Sequence, residues 1–307
     1  MLTTRAYRDA ADLRQMVNLL LQDRSARDAH AYPSPSDLHE LVAVASGCED
    51  VRLWFDESGA LIASALVDSY NNLVFQIDAA QTDWQLEREI VAFGVERLRA
   101  RANSDQDMTL DASCSARDRA RVALLLRNGF VQRPERSIHL LRSLHDPIAP
   151  PRLPEGCVIR PSEGAAEADE WVRLHRQAFG TEHMTVDERL AMLEAPSYDP
   201  QGDLVLVAPD GRLVAYCMCQ IDHEENARRG RQEGCTDPIA THPAYQRRRL
   251  ASALLSAGLL LLRKRGMDWA AMGTNSENER LLRLALAAGF QVESTRLRFS
   301  RAIELSE

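Results

Sequence analysis

The residues best suited to chemistry lie between Glu233 and Asn278. The stretch EGCTDPIATHPAYQRRRLASALL passes from a strand-like segment into a helix-like one through three consecutive arginines, Arg247, Arg248 and Arg249. A helix start presents unpaired backbone N–H groups and the positive end of its dipole, and so suits phosphate. Gln246 to Ser252 would form that turn, with the arginines adding charge for a polyphosphate. A solvated basic helix start has the same composition. Two carboxylates, Glu233 and Asp237, stand at the beginning and middle of the preceding strand. A carboxylate held there could remove a proton from a substrate, although a surface glutamate at a strand start is the plainer reading. His242 titrates near neutrality, but His-Pro at this place reads as loop geometry.

These residues need a sheet and two helices to position them. The pattern of the second half predicts strands over Cys157–Arg160, Asp203–Ala208, Arg212–Ile221 and Gly234–Thr241, with helices over Glu167–Phe179 and Val186–Leu193. A long helix is predicted over Arg248–Arg265, where apolar residues recur with a helical period. Then come a strand over Trp269–Gly273, a helix over Asn278–Ala288 ended by Gly289, and strands over Phe290–Val292 and Arg296–Ile303. Antiparallel hairpins followed by a strand–helix–strand crossover describe a mixed sheet with helices on its faces.

The first half repeats this plan. LLLRNGF and LALAAGF end at Phe130 and Phe290, and the hairpin-like segments around Gly59 and Gly211 correspond in the same order. Near the start of each half, TTRAYRDAADLRQMVNLL matches VIRPSEGAAEADEWVRLH. Between the halves, HDPIAPPRLPEG is rich in proline, which favours an extended linker. The expected organisation is a domain over 1–146, a linker over 147–156 and a second domain over 157–307.

Composition removes other classes. The chain has 307 residues and a net charge of −8, which disfavours a free-standing nucleic-acid binder. Its longest mainly apolar run, Leu250–Leu262, is broken by Ser252, Ser256 and Gly258 and is too short for a bilayer. MLTTRAYRDA has no apolar leader core, so a cytoplasmic protein without membrane contact is expected. The six cysteines include no CxxC pair and no His/Cys cluster with zinc spacing, so no metal is expected.

HPAYQRRRLASALL followed by NSENERLLRLALAAGF resembles the two hallmark motifs of the GNAT superfamily of acetyl-CoA-dependent N-acyltransferases. The first hallmark opens a long helix with Gln or Arg, then Gly three residues on, then Gly or Ala; Gln246 and Ala251 match its ends. The second runs from an asparagine through a helix to Gly-Phe, matched by Asn278, Gly289 and Phe290. The resemblance covers nearly the whole chain when the first half is taken as a degenerate copy. It implies an α/β fold of two tandem GNAT-like domains, each a splayed mixed β-sheet flanked by helices. It implies acetyl-CoA as cosubstrate, with the pantetheine arm along Ile239, Ala240 and Thr241. The pyrophosphate would sit on the amides of Arg247, Arg248, Arg249, Leu250, Ala251 and Ser252. Gln246, Asn275 and Asn278 complete the cofactor set. Glu233 is then the leading base and Asp237 the second, with Pro238 expected to turn Asp237 away.

Two positions depart from the family pattern. The hallmark glycine is Arg249, expected to keep helical dihedrals and point its side chain outward. The position where many members place a tyrosine acid is Ala285. The corresponding part of the first half, DAAQTDWQLEREIVAFGVERL, is acidic and lacks the arginine triplet, and Asp118 stands where Asn278 does. The first domain is therefore expected to bind no cofactor. The expected activity is acetyl transfer to a primary amine of a small molecule, by a monomer or homodimer. The alternative is a catalytically weakened CoA-binding or scaffold protein of the same fold.

Overall fold

The computed structural model describes residues 2–23, 33–43, 45, 47–81, 83–101, 108–195 and 198–303. The chain forms two compact units, one of residues 1–137 with 294–307 and one of residues 138–293.

In the first unit β1 (Thr3–Ala6), β2 (Val51–Phe55), β3 (Leu61–Val67) and β4 (Leu73–Ile77) form an antiparallel sheet in that order. Helices α1 (Ala10–Asp23), α2 (Pro35–Ala43) and α3 (Trp84–Arg101) accompany it. β5 (Met108–Ser115) precedes α4 (Arg119–Arg127) and pairs antiparallel with β12 (Gln291–Ile303), Arg296 opposite Ser115 and Ile303 opposite Met108. Between α4 and the second unit runs β6 (Val131–Ser143).

The second unit carries the chemistry. It holds β7 (Val158–Pro161), α5 (Ala168–Phe179), α6 (Val186–Glu194), β8 (Asp203–Val207) and β9 (Leu213–Gln220). Then follow α7 (His223–Arg229), β10 (Glu233–Thr241), α8 (Leu250–Lys264), β11 (Trp269–Asn275) and α9 (Glu279–Ala287). The strand order is β6-β11-β10-β9-β8-β7, antiparallel from β10 to β7 and parallel between β10 and β11. Leu250, Leu254, Leu255 and Leu262 of α8 are buried with Cys217 and Cys219 of β9. Trp171 and Leu174 of α5 are buried with Tyr216, Met218 and Ala240, so the two helices cover opposite faces of the sheet. α8 approaches closely because Gly258 lacks a side chain; a Cβ there would lie 2.8 Å from Cys219 Sγ.

The compact units divide the chain elsewhere than at the proline-rich linker. Residues 294–307 belong with the first unit because β12 pairs with β5 over Arg296–Ile303, and residues from Ile138 onward belong with the second. The expected boundaries at 146 and 157 followed the local proline signal. Helix α7 falls between the strands predicted over Arg212–Ile221 and Gly234–Thr241, where the sequence pattern predicts no element.

Candidate active site

Strand β10 organises the site. It pairs with β11 only at Glu233–Trp269, Gly234–Ala270 and Cys235–Ala271. Its pairing with β9 shifts register between Thr236 and Ile239, at the cis Asp237–Pro238 peptide. Beyond Cys235 the β11-facing edge of β10 has no ladder partner in the parallel register. The Thr241 carbonyl accepts from Gln246 Nε2 at 3.4 Å; the remaining backbone groups at Ile239 to Thr241 on that edge are placed to meet an extended amide-bearing chain such as pantetheine.

The bulge decides where the carboxylates point. Gly234 and Thr236 face α8, since a Cβ on Gly234 would meet Leu262 at 2.5 Å and one on Gly258 would meet Thr236 Cγ2 at 3.6 Å. Alternation sends Glu233, Cys235 and Asp237 to the other face. Asp237 accepts the Gly273 N–H, and burial pushes its carboxyl above the usual range while that hydrogen bond holds it down. Glu233 is raised by burial as well, opposed by Arg229 and Arg231. These arginines lie 3.8 and 3.3 Å from its carboxylate. Asn226 of α7 donates to the Glu233 carbonyl at 2.7 Å and accepts its N–H at 3.1 Å. Glu233 thus sits in the closed, laddered part of the strand and fastens α7 to it, whereas Asp237 sits where the strands part. Pro238 does not turn Asp237 away.

On the same face His175 Nδ1 and Tyr216 Oη are hydrogen-bonded at 2.8 Å. Burial lowers the His175 pKa and raises that of Tyr216. The His175 ring lies between Trp171 and Phe179, with centroids at 5.4 and 4.7 Å. The sequence offered no signal for this pair, because its members are 41 residues apart.

A groove of ≈ 1240 Å³ runs from Ala178 and Phe179 past Ile239, Ala240 and Thr241 to the start of α8. It exceeds the roughly 300–1,000 Å³ of ordinary small-ligand pockets. Gln246, Arg247, Arg248, Arg249, Leu250, Ala251, Ser252 and Asn278 all line it. Arg247 and Arg249 both have φ of 63°, and Arg249 caps α8 in the left-handed conformation with no side-chain cap. The expectation of helical dihedrals at Arg249 is therefore corrected: it adopts the backbone that glycine adopts most easily. The first-turn amides of α8 remain free of any side-chain cap, so the loop fits a diphosphate. Asn278 caps α9 by accepting the Leu281 N–H at 3.1 Å. The side chain of Asn275 is occupied in the turn, accepting from Glu277 at 3.1 Å and Asn278 at 2.8 Å, and it is not among the groove residues. Arg280 and Arg283, which lie outside both hallmark positions, also line the groove. Ala285 is fully buried and presents no acid.

The corresponding helix start in the first unit is closed. Asp83 accepts the Leu86 N–H at 2.8 Å, and Asp78 accepts the Ala80 N–H at 2.9 Å. Carboxylates occupy amides of the kind a phosphate would use. Among the described residues no cluster could hold a metal ion and no helix is long and apolar enough to cross a membrane.

A splayed mixed sheet with an open helix start beside the splay defines a GNAT-type fold, here in tandem. Residues 168–290 match the acetyltransferase (GNAT) family. The chain resembles tandem GNAT acetyltransferases of the mycothiol synthase kind. It is 29% identical over 156 residues to a mycothiol acetyltransferase of Salinispora tropica, covering 49% of this chain and 50% of the relative. It is 32% identical over 174 residues to one of Acidimicrobium ferrooxidans, covering 54% of each. The chain thus spans about half the length of the curated relatives it matches. Among solved structures, a GCN5-related N-acetyltransferase from Sphaerobacter thermophilus superposes with a TM-score of 0.79 at 20% identity, covering 99% of this chain and 96% of that one. A tandem GNAT protein from the clavulanic acid biosynthesis pathway gives 0.72 at 15% identity, covering 100% of both chains. At these identities the likeness concerns the fold.

Proposed function

We propose that the protein is an N-acetyltransferase that moves the acetyl group of acetyl-CoA to a primary amine of a small molecule. The observation that carries this reading is the conjunction, on one strand, of an edge at Ile239–Thr241 that has left the ladder with β11 and a buried carboxylate at Asp237. The edge and the α8 loop would hold the cosubstrate, and Asp237 would face the acceptor where β10 and β11 part. An amine enters at neutral pH mostly as the ammonium ion, which has no lone pair for attack. Asp237 would take that proton, and burial, which raises its pKa above the usual carboxylate range, makes it the more basic for that task. The amine nitrogen would then bond to the thioester carbonyl carbon, the C–S bond would break, the nitrogen's second proton would pass to the departing sulfur so that CoA leaves as the free thiol, and Asp237 would return its proton to solvent. A thiol of pKa about 8.5 is a tolerable leaving group without a strong acid, which accommodates Ala285.

Asp237 takes precedence over Glu233 here because the Glu233 carboxylate faces Arg229 and Arg231 in the laddered part of the strand, whereas Asp237 stands where the strands part. The relatives named mycothiol acetyltransferase support a small-molecule acceptor. The alternative is a CoA-binding scaffold, since Arg249 and Ala285 depart from the family pattern. Purified protein with acetyl-CoA and a panel of primary amines, followed by release of free thiol, separates the two. Amine-dependent release supports the enzyme; tight binding of acetyl-CoA with no release for any amine supports the scaffold.

A further inference from the structure

The groove beside α8 holds more positive charge than a diphosphate requires. Arg247, Arg248, Arg249, Arg280 and Arg283 line it, and among the described residues no aspartate or glutamate does, in a chain of net charge −8. A diphosphate bridge carries one charge per phosphorus, which the first-turn amides of α8 and the loop arginines can meet. Arg280 and Arg283 come from another element, α9. Their spacing of three puts them on one helix face. Arg280 donates to Gln246 Oε1 at 3.0 Å, and Arg283 to Glu279 Oε2 at 2.7 Å. The second contact is an exposed pair, which an incoming phosphate could replace at little cost.

The chain supplies an internal control. Helices α4 and α9 correspond at an offset of 160 residues, from Arg119 and Glu279 to Arg127 and Ala287. Each is capped by the side chain before it, Asp118 or Asn278, and each ends in Gly-Phe. At the same offset Arg280 falls on Ala120 and Arg283 on Ala123. The helix therefore forms without either arginine. The pair occurs beside the open helix start and is replaced by alanines beside the start closed by Asp83.

We propose that Arg280 and Arg283 form a subsite for the 3′-phosphate of the CoA ribose, making the protein selective for CoA esters over their 3′-dephospho forms. This rests on the acetyl-CoA reading above. A phosphomonoester has a second pKa near 6 and is largely dianionic at neutral pH, so it matches a pair of guanidinium groups better than a single one. Leu281 and Leu284, also on the groove wall, supply apolar surface beside the pair.

The test is calorimetry on the full chain with acetyl-CoA and with acetyl-3′-dephospho-CoA. Wild type is expected to bind acetyl-CoA at least ~10-fold more tightly, the order of one lost charged hydrogen bond. In Arg283→Ala, which keeps the Arg280–Gln246 contact, that ratio should shrink. In Arg280→Ala/Arg283→Ala it should fall below about 3-fold, through weaker acetyl-CoA binding and not stronger dephospho binding. Thermal melts of the variants report whether the fold is kept. Equal affinities in wild type, or an undiminished ratio in both variants, overturn the subsite and leave the acetyl-CoA reading standing. No binding of either ligand to wild type overturns that reading, and the subsite with it.

Discussion

Asp237 accepts a hydrogen bond from the backbone N–H of Gly273, the residue that continuing the parallel register would place opposite it. The ladder between β10 and β11 ends two residues earlier, at Cys235 and Ala271. A side chain thus takes up one backbone donor where the strands separate. Gly273 lets it do so, since a Cβ there would stand 3.1 Å from Asp237 Oδ2. The carboxylate is thereby fixed at the mouth of the splay, within reach of whatever the splay admits.

If Asp237 removes the ammonium proton, Asp237→Asn should lower kcat by about 10²- to 10⁴-fold, the range for general acid–base catalysis. Acetyl-CoA affinity should barely change. The acidic limb of the wild-type pH–rate profile should vanish in the variant. Glu233→Gln is the comparison, and its loss should be smaller because Glu233 faces arginines and α7. Steady-state kinetics across pH 6 to 9 decide this; a larger loss in Glu233→Gln than in Asp237→Asn would reverse the assignment.

The same carboxyl makes a stability prediction of definite sign. Its pKa is higher folded than unfolded, so the folded chain holds the proton more tightly. Between the ordinary value of about 3.9 and the raised one, stability falls as pH rises. Above the raised value the full cost of a buried charge is present. Asp237→Asn removes that cost and still accepts from Gly273 through its amide oxygen. The variant should melt above wild type at pH 7, and the gap should close as pH falls toward about 4. A gap independent of pH would detach the effect from this ionisation.

The full chain should bind one acetyl-CoA. The start of α8 has no side-chain cap, whereas at the start of α3 the carboxylate of Asp83 accepts the Leu86 N–H. A phosphate approaching α3 meets a negative charge already using the amide. Calorimetric stoichiometry near one supports this, and Arg247→Ala/Arg248→Ala should weaken that single site. A second site of comparable affinity would show that the first unit binds the ligand by other means.

The second unit was legible because its signals are local. Gly211 between apolar runs marks the β8–β9 turn, and the leucine spacing after Arg249 marks α8. Helix α7 was not legible: HEENARR is polar on every face, and only Asp222 and Gly230 mark its ends. The final strand reads in sequence as two pieces, yet Gln291–Ile303 is continuous. Its pairing with β5 joins residues roughly 180 to 195 positions apart, from Arg296 with Ser115 to Ile303 with Met108, which no local pattern can report. The groove residues from Ile239 to Ser252 were legible from a motif. The contrast between Asp237 and Glu233 was not, because it depends on where two strands cease to pair.

The loop itself offers a last prediction. Arg249 has φ 63° and ψ 17°, a conformation costing a residue with a Cβ roughly 1–2 kcal/mol. Glycine adopts it freely but loses up to about 1 kcal/mol through its looser unfolded chain. Arg249→Gly should therefore not destabilise the protein and should stabilise it by up to about 2 kcal/mol, the difference between those two effects. Chemical denaturation measures this. Acetyl-CoA affinity should hold or improve, because a glycine keeps the amide in place and removes a side chain from the diphosphate approach. Four arginines remain along the groove, Arg247, Arg248, Arg280 and Arg283, so the lost charge is minor. If Arg249→Gly is more stable but binds acetyl-CoA more than ~10-fold worse, the loss corresponds to a charged hydrogen bond, and the Arg249 guanidinium is itself a ligand that the loop is strained to present.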